Sequence, residues 1–216
     1  MARNKHPEET ERRILQVSRR LFLEKGYEHT TIQDIVDALG NLTKGAVYHH
    51  FSCKEDILNA LGDQMFYEDN PFEEVCRHTE LSGLEKMRRV IFLTRQNAQR
   101  VELTRHSIPL LQNPQVLAQT MENDRKTLVP LWRKLLEEGN RDGSLHTEYV
   151  NELAEVLPML FSLWLGCGLV DGEQRMMCRV RFLAEMLDKA GVPLFDEASM
   201  ETMRQYIAEL TRQKPE

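Results

Sequence analysis

Residues 31–51, "TIQDIVDALGNLTKGAVYHHF", restrict the chain to few folds. Thr31 suits a helix N-cap, with Asp34 three residues on, near the positive end of the helix. Ile32, Ile35, Val36 and Leu39 recur on one face. Gly40 ends this helix after about two turns, and Thr43 caps a second short helix that buries Val47 and leads to Phe51. Helices this short do not persist alone in water, so a third element must supply core. The helix expected from Glu8 to Lys25 does so through Ile14, Val17, Leu21 and Phe22, and Gly26 stops it. Two short helices joined at a glycine-containing turn and backed by a longer one make a helix–turn–helix.

The remainder reads as all-α. Ser52 and Glu55 are spaced as a capping box, Ser at N-cap and Glu at N3, for a helix over about 53–70 that carries Ile57, Leu58, Leu61 and Met65. Long helices follow over about 81–103, 123–140, 150–170, 173–190 and 199–213, with a shorter proline-interrupted piece near 106–121. Pro130 and Pro158 fall inside helical patterns and are expected to kink or restart them. The domain reading is a head over 1–55 and a regulatory and dimerisation body over 56–216, joined through a shared helix rather than a flexible linker.

Charge is unevenly spread. The chain carries a net −6, yet residues 1–60 are neutral overall and hold four of the seven histidines. The less acidic head suits an anionic partner. The four cysteines lack Cys-x-x-Cys spacing, which argues against zinc. The opening "MARNKHPEETERR" has no apolar signal core, and the apolar run 158–170 is well short of the roughly 20 residues that span a bilayer. A cytoplasmic location with reduced thiols follows as the expectation.

A helix of this width enters the major groove of B-DNA. Thr43 to His50 would expose Lys44, Gly45, Tyr48 and His49. The amides near Thr31, the Thr43 hydroxyl, Tyr48 and Lys54 suit phosphates, and Gly45 lets the backbone approach closely. Gln33, Lys44 and His49 are the candidate base readers, since Gln pairs with adenine and Lys donates to guanine.

The stretch "ILQVSRRLFLEKGYEHTTIQDIVDALGNLTKGAVYHHFSCKEDIL" resembles the DNA-binding domain of the TetR/AcrR family of bacterial transcriptional regulators. Ile14, Leu15, Leu21, Phe22, Gly26, Tyr27, Thr30, Thr31, Ile35, Gly45, Tyr48, Phe51 and Lys54 match its pattern. The resemblance implies a homodimer that presents two recognition helices to a pseudo-palindromic operator. The family's usual Gly-x-Ser-x-Gly-x-x-Tyr turn is one residue longer here, from Gly40 to Thr43, which bears on the placing of base contacts.

Other chemistries find little support. His49 and His50, adjacent on a helix, diverge by about 100° and make a poor metal pair. The Walker pattern is absent despite Lys44-Gly45, and no nucleophile elbow, HExxH, kinase signature or dinucleotide fingerprint occurs, so neither an enzyme nor a cofactor is expected. Arg12, Arg13, Arg19 and Arg20 read as a solvated face. Cys53, near a helix start, stands where a thiol pKa can fall.

In the body, residues 150–170 are apolar nearly all round, so more than one side must be covered. Leu157, Phe161, Leu165 and Gly168, with Val180, Leu183 and Leu187 on the next helix, are the expected dimer seam. Met65, Phe66, His106, Trp132, Phe161 and Trp164 are candidates to line an effector cavity for an apolar or aromatic small molecule, with Arg105 and His106 orienting a polar end. The functional expectation is a ligand-responsive homodimeric repressor. The alternative is a helical small-molecule-binding or interaction protein that keeps the three-helix head as scaffold.

Overall fold

The computed structural model describes residues 7–68, 70–108, 111, 113–165 and 172–211; side chains at 7, 65, 100, 103, 107 and 115 are also outside the description. Among the described residues there is no strand. The chain divides into two units, Met1–Glu68 and Asp69–Glu216.

The first unit has four helices: α1 (Pro7–Lys25), α2 (Ile32–Leu39), α3 (Lys44–His50) and α4 (Lys54–Glu68). α4 packs with the head, so the unit runs past the boundary at residue 55 read from sequence. Ile14, Leu15, Leu21 and Phe22 of α1 meet Ile35, Leu39, Val47, Phe51, Ile57, Leu58 and Leu61 in one buried core. Val17, assigned to the stripe, is only half-buried, and Leu15 takes the inward place. Phe22 and Tyr27 stack edge to face at 5.1 Å. Gly26, at φ 83°, reverses the chain after α1 in a region that disfavours side chains. The buried Thr30 hydroxyl donates to the Gly26 carbonyl at 2.8 Å, closing that turn.

The second unit begins with a helix the sequence reading lacked, α5 (Pro71–Cys76), capped by Asn70. The helix expected over 81–103 is two: α6 (Gly83–Gln96) and α7 (Ala98–Ser107), broken where Asn97 is extended at ψ 102°. Conversely, α8 (Pro114–Asp142) is a single helix through Pro130, where two pieces were expected. Pro158 lies in α9 (Val150–Met159), which continues as a π-helical segment, Leu160–Trp164. Proline removes an amide from the ladder, and a π-bulge is one way a helix proceeds past such a fault. Then come α10 (Glu173–Lys189) and α11 (Glu197–Thr211). α8 packs on α6 and α9, and α11 on α6, α7 and α10.

The start of α6 is fixed by the end of α8. The Gly83 amide donates to Asp142 at 2.7 Å and the Leu84 amide to the Ser144 hydroxyl at 3.2 Å, satisfying helix-end donors. The backbones are so close that a Cβ on Gly83 would overlap the Gly139 backbone. Lys86, almost fully buried, pairs with Glu138 across the same α6–α8 contact. Gly83→Ala is therefore expected to destabilise the body by about 1–3 kcal/mol through overpacking, read as a lower urea midpoint, whereas Gly143→Ala at an uncrowded turn acts only through its positive φ.

Candidate nucleic-acid interface

α2 and α3 are placed by paired local devices. Thr31 and Asp34 form a reciprocal capping box: the Asp34 amide donates to the Thr31 hydroxyl at 3.1 Å, and the Thr31 amide donates to Asp34 at 2.8 Å. Lys25 adds an ion pair to Asp34 at 2.9 Å. The hydrogen bond from Thr31, with that from Lys25 next, holds the Asp34 carboxyl well below the usual carboxylate range. Gly40, at φ 71°, returns its amide to the Val36 carbonyl and ends α2. Thr43 caps α3 by accepting from the Ala46 amide at 3.2 Å. Arg13 donates to Asn41 at 2.9 Å, so α1 reaches the turn through a residue assigned to a solvated face. The longer turn is thereby accommodated between Gly40 and the Thr43 cap.

α3 has one fully buried anchor, Val47. Opposite it, Lys44, Gly45, Tyr48 and His49 are exposed, Tyr48 at 45%. The Lys44 ammonium lies 5.9 Å from the Tyr48 ring centre. The two histidines diverge: His49 faces solvent, while His50, nearly buried, lies 3.9 Å from Glu11. Among the described residues no group of three or more His, Cys, Asp or Glu could hold a metal. Gln33 is exposed on α2 and donates to Asp37 at 2.7 Å, one turn along.

Lys54 has a different placing from the one its sequence context suggested. Its ammonium donates to the Tyr27 carbonyl at 2.8 Å and the Thr30 carbonyl at 3.0 Å, and sits 4.0 Å from the Tyr27 ring centre. Two of its three donors are thus committed to the turn before α2. Burial, followed by the neighbouring Glu55 carboxylate, pushes the Tyr27 phenol up. The Ser52–Glu55 capping box does not form at α4; the Ser52 amide donates instead to Asp56 at 3.0 Å. The Cys53 thiol is pushed up, chiefly by burial, not lowered by the helix start.

The expected dimer and effector residues fare unevenly. Leu157, Leu165, Val180, Leu183 and Leu187 are buried within this chain, so they are core and not an outward seam. The exposed apolar residues on α9 and α10 are Val156 (40%), Met159 (41%) and Phe182 (58%). Period 3.6 located the apolar faces, but α8 and α11 cover the more regular ones. Gly168 lies outside the described residues, as does the Met65 side chain. Of the effector candidates, Trp132 and Phe161 come together, stacked at 6.0 Å, in a string that runs from Phe72 to Phe195. Trp164 turns to Phe182 at 5.9 Å, His106 pairs with Glu102 at 3.3 Å, and Phe66 belongs to the head, beside Tyr67. A surface cleft of about 310 Å³ between α6 and α11, lined by Leu81, Ile91, Phe92 and Thr202 among others, contains none of the expected effector residues.

A short helix that stands on one buried valine and shows a polar, aromatic and cationic face has the form of the second helix of a helix–turn–helix. The family model for bacterial regulatory proteins of the tetR family matches residues 14–61. The transcriptional repressor KstR2 of Rhodococcus jostii is 29% identical across 65% of this chain and 70% of its own length. AcnR of Corynebacterium diphtheriae is 44% identical, over 22% of this chain and 25% of its own length. A TetR-family regulator structure from Pectobacterium atrosepticum has a TM-score of 0.60 at 21% identity, covering 88% of this chain and 98% of that one. Thermus thermophilus FadR, solved with lauroyl-CoA, has a TM-score of 0.57 at 19% identity, covering 95% and 96%. These structures share the fold. Residues 14–61 thus carry the DNA-binding domain of the tetR family, and the similarities support a DNA-binding transcriptional regulator.

Two predictions separate placement from contact. Lys54→Met removes two charge-assisted hydrogen bonds and should destabilise the head by about 1.5–3 kcal/mol, with faster amide exchange at Thr30 to Ile35; Lys44→Met should leave both unchanged. Asp34 has a depressed folded-state pKa, so its stabilisation is complete above the ordinary aspartate value near 4 and is lost as pH falls through the folded value. Asp34→Asn should therefore lower the thermal midpoint at pH 7, and the gap to the parent should narrow as pH drops below about 4.

Proposed function

We propose that the protein is a homodimeric repressor whose two α3 helices enter successive major grooves of a pseudo-palindromic operator, and whose body binds a small apolar or aromatic effector that releases DNA. One observation carries the DNA reading: the outward set Lys44, Gly45, Tyr48 and His49 on a helix anchored by Val47. In this reading Tyr48 and the Thr43 and Thr31 helix starts meet phosphates, Lys44 and His49 face base edges, and Gln33 reaches the groove flank. Lys54 acts through the turn it holds. The named relatives support repression, since KstR2 and AcnR are both called repressors.

Self-association follows from the exposed apolar residues of α9 and α10. Val156, Met159 and Phe182 lie open on helices whose other faces are already covered, and a second copy is the occupant that pairs two heads. The effector reading rests on the aromatic string through Trp132 and Phe161. It draws support from two structures of this fold that hold small molecules, lauroyl-CoA in T. thermophilus FadR and choline in a Saccharomonospora viridis regulator. An effector releases DNA only by binding more tightly to a conformation in which the paired heads no longer fit the operator. The site of action is DNA in the cytoplasm; among the described residues no helix is long and apolar enough to cross a membrane.

Fluorescence anisotropy with a labelled duplex tests the contact residues. Lys44→Met should reduce the slope of log affinity against log salt by about one, and Tyr48→Phe should weaken binding to all duplexes alike; unchanged affinity and slope in both would contradict the reading. For assembly, Val156→Glu with Phe182→Glu should give a folded monomer by light scattering and circular dichroism. Leu183→Glu, at a buried position, should instead unfold the body.

A further inference from the structure

Sequence placed the polar end of the effector near Arg105 and His106, but both are already served by one carboxylate. Arg105 pairs with Glu102 at 2.8 Å and His106 lies 3.3 Å from the same side chain. Arg105 also donates to the Glu209 carbonyl. A cation without a carboxylate partner lies elsewhere, on Arg95 in the last turn of α6.

The Arg95 guanidinium has no carboxylate within ion-pair distance among the described residues. Its single hydrogen bond is a long one, 3.3 Å, to the hydroxyl of the adjacent Thr94. Its Nε is sealed from solvent and has no partner. Two rings flank the cation, Tyr206 of α11 at 4.6 Å and Phe161 of the π-helical segment at 5.9 Å. Cation–π contact recovers only part of what withdrawing an unpaired charge from water costs. Arg95, Phe161, Phe195 and Tyr206 each keep part of their surface open. Among the described residues the cation thus has aromatic neighbours and no acidic partner, and Phe161 in turn stacks on the buried Trp132.

We propose that Arg95 is the anchor for the anionic head of the effector, and that the effector is an organic carboxylate with an apolar or aromatic body lying along Phe161 and Trp132. The inference rests on the effector reading above and narrows it. A quaternary ammonium or amine is disfavoured at this place, because the Arg95 guanidinium already stands against Tyr206 and Phe161 and repels a second cation. A bound carboxylate takes the open guanidinium edge in charge-assisted hydrogen bonds while the rings stay stacked on its faces. Phe161 lies in the π-helical segment, whose Trp164 meets Phe182 instead.

The test uses the full chain and three probes of one shape: 4-phenylbutyrate, 4-phenyl-1-butanol and 4-phenylbutylamine. Binding is followed by titration calorimetry and by Trp fluorescence, since Trp132 stacks on Phe161. The carboxylate should bind roughly ten- to a hundredfold more tightly than the alcohol, and the amine more weakly than either. Arg95→Met should erase the preference for the carboxylate while leaving alcohol binding within about twofold, and Arg95→Lys should keep part of it. Equal affinity for the carboxylate and the alcohol, or a preference that survives Arg95→Met in a folded variant, overturns the proposal. Binding that depends on Arg95 but does not release a DNA duplex would uphold this site and defeat the effector reading; absence of binding by all three probes would defeat both.

Discussion

The head is organised around one ammonium group. Lys54, at the start of α4, reaches back to the carbonyls of Tyr27 and Thr30 and lies on the face of the Tyr27 ring. Those carbonyls belong to the turn that delivers Thr31, the cap of α2. With α2 set, Gly40 and the Thr43 cap determine where α3 starts, and Val47 determines its rotation. A charged donor shared by two carbonyls is stronger than a neutral bond, and here it is half-shielded. The start of α3 is therefore set from outside its own seven residues, through α2 and through turns that Arg13 of α1 and Lys54 of α4 hold.

The body shows the complementary principle, that pairing decides which groups remain available. Lys86 is spent on Glu138, Arg88 on Asp196, and Arg105 on Glu102. Arg95 has two rings and the neighbouring Thr94 hydroxyl, and no carboxylate among the described residues. Apolar surface divides in the same way: Leu157, Val180 and Leu183 are consumed inside the chain, while Val156, Met159 and Phe182 are left over. What a bundle keeps for partners and ligands is the remainder after its own core and charges are satisfied.

Much of the head was legible because its signals are local. Thr31 with Asp34, Gly26, Gly40 and the stripe of Ile35, Leu39 and Val47 each act within a few residues of themselves. The exposed side of α3 followed from the same period. The bonds of Lys54 to the turn were missed because its partners stand 24 and 27 residues earlier in the chain, a separation that periodicity does not report. Arg13 and Asn41 escaped for the same reason. In the body, periodicity found the helices of α9 and α10 but could not say which apolar face meets α8 or α11, so buried leucines were taken for an outward seam. Pro130 was given too much weight, since α8 passes through it, and Asn97 too little.

The central claim is that α3 reads DNA as one of a pair. Selection of bound duplexes from a random-sequence pool, at low salt and without added small molecules, measures this most directly. The account predicts enrichment of an inverted repeat, with enrichment abolished when Lys44 and Tyr48 are both replaced by alanine in an otherwise folded protein. Recovery of no common sequence, or of the same inverted repeat by that double variant, would contradict it.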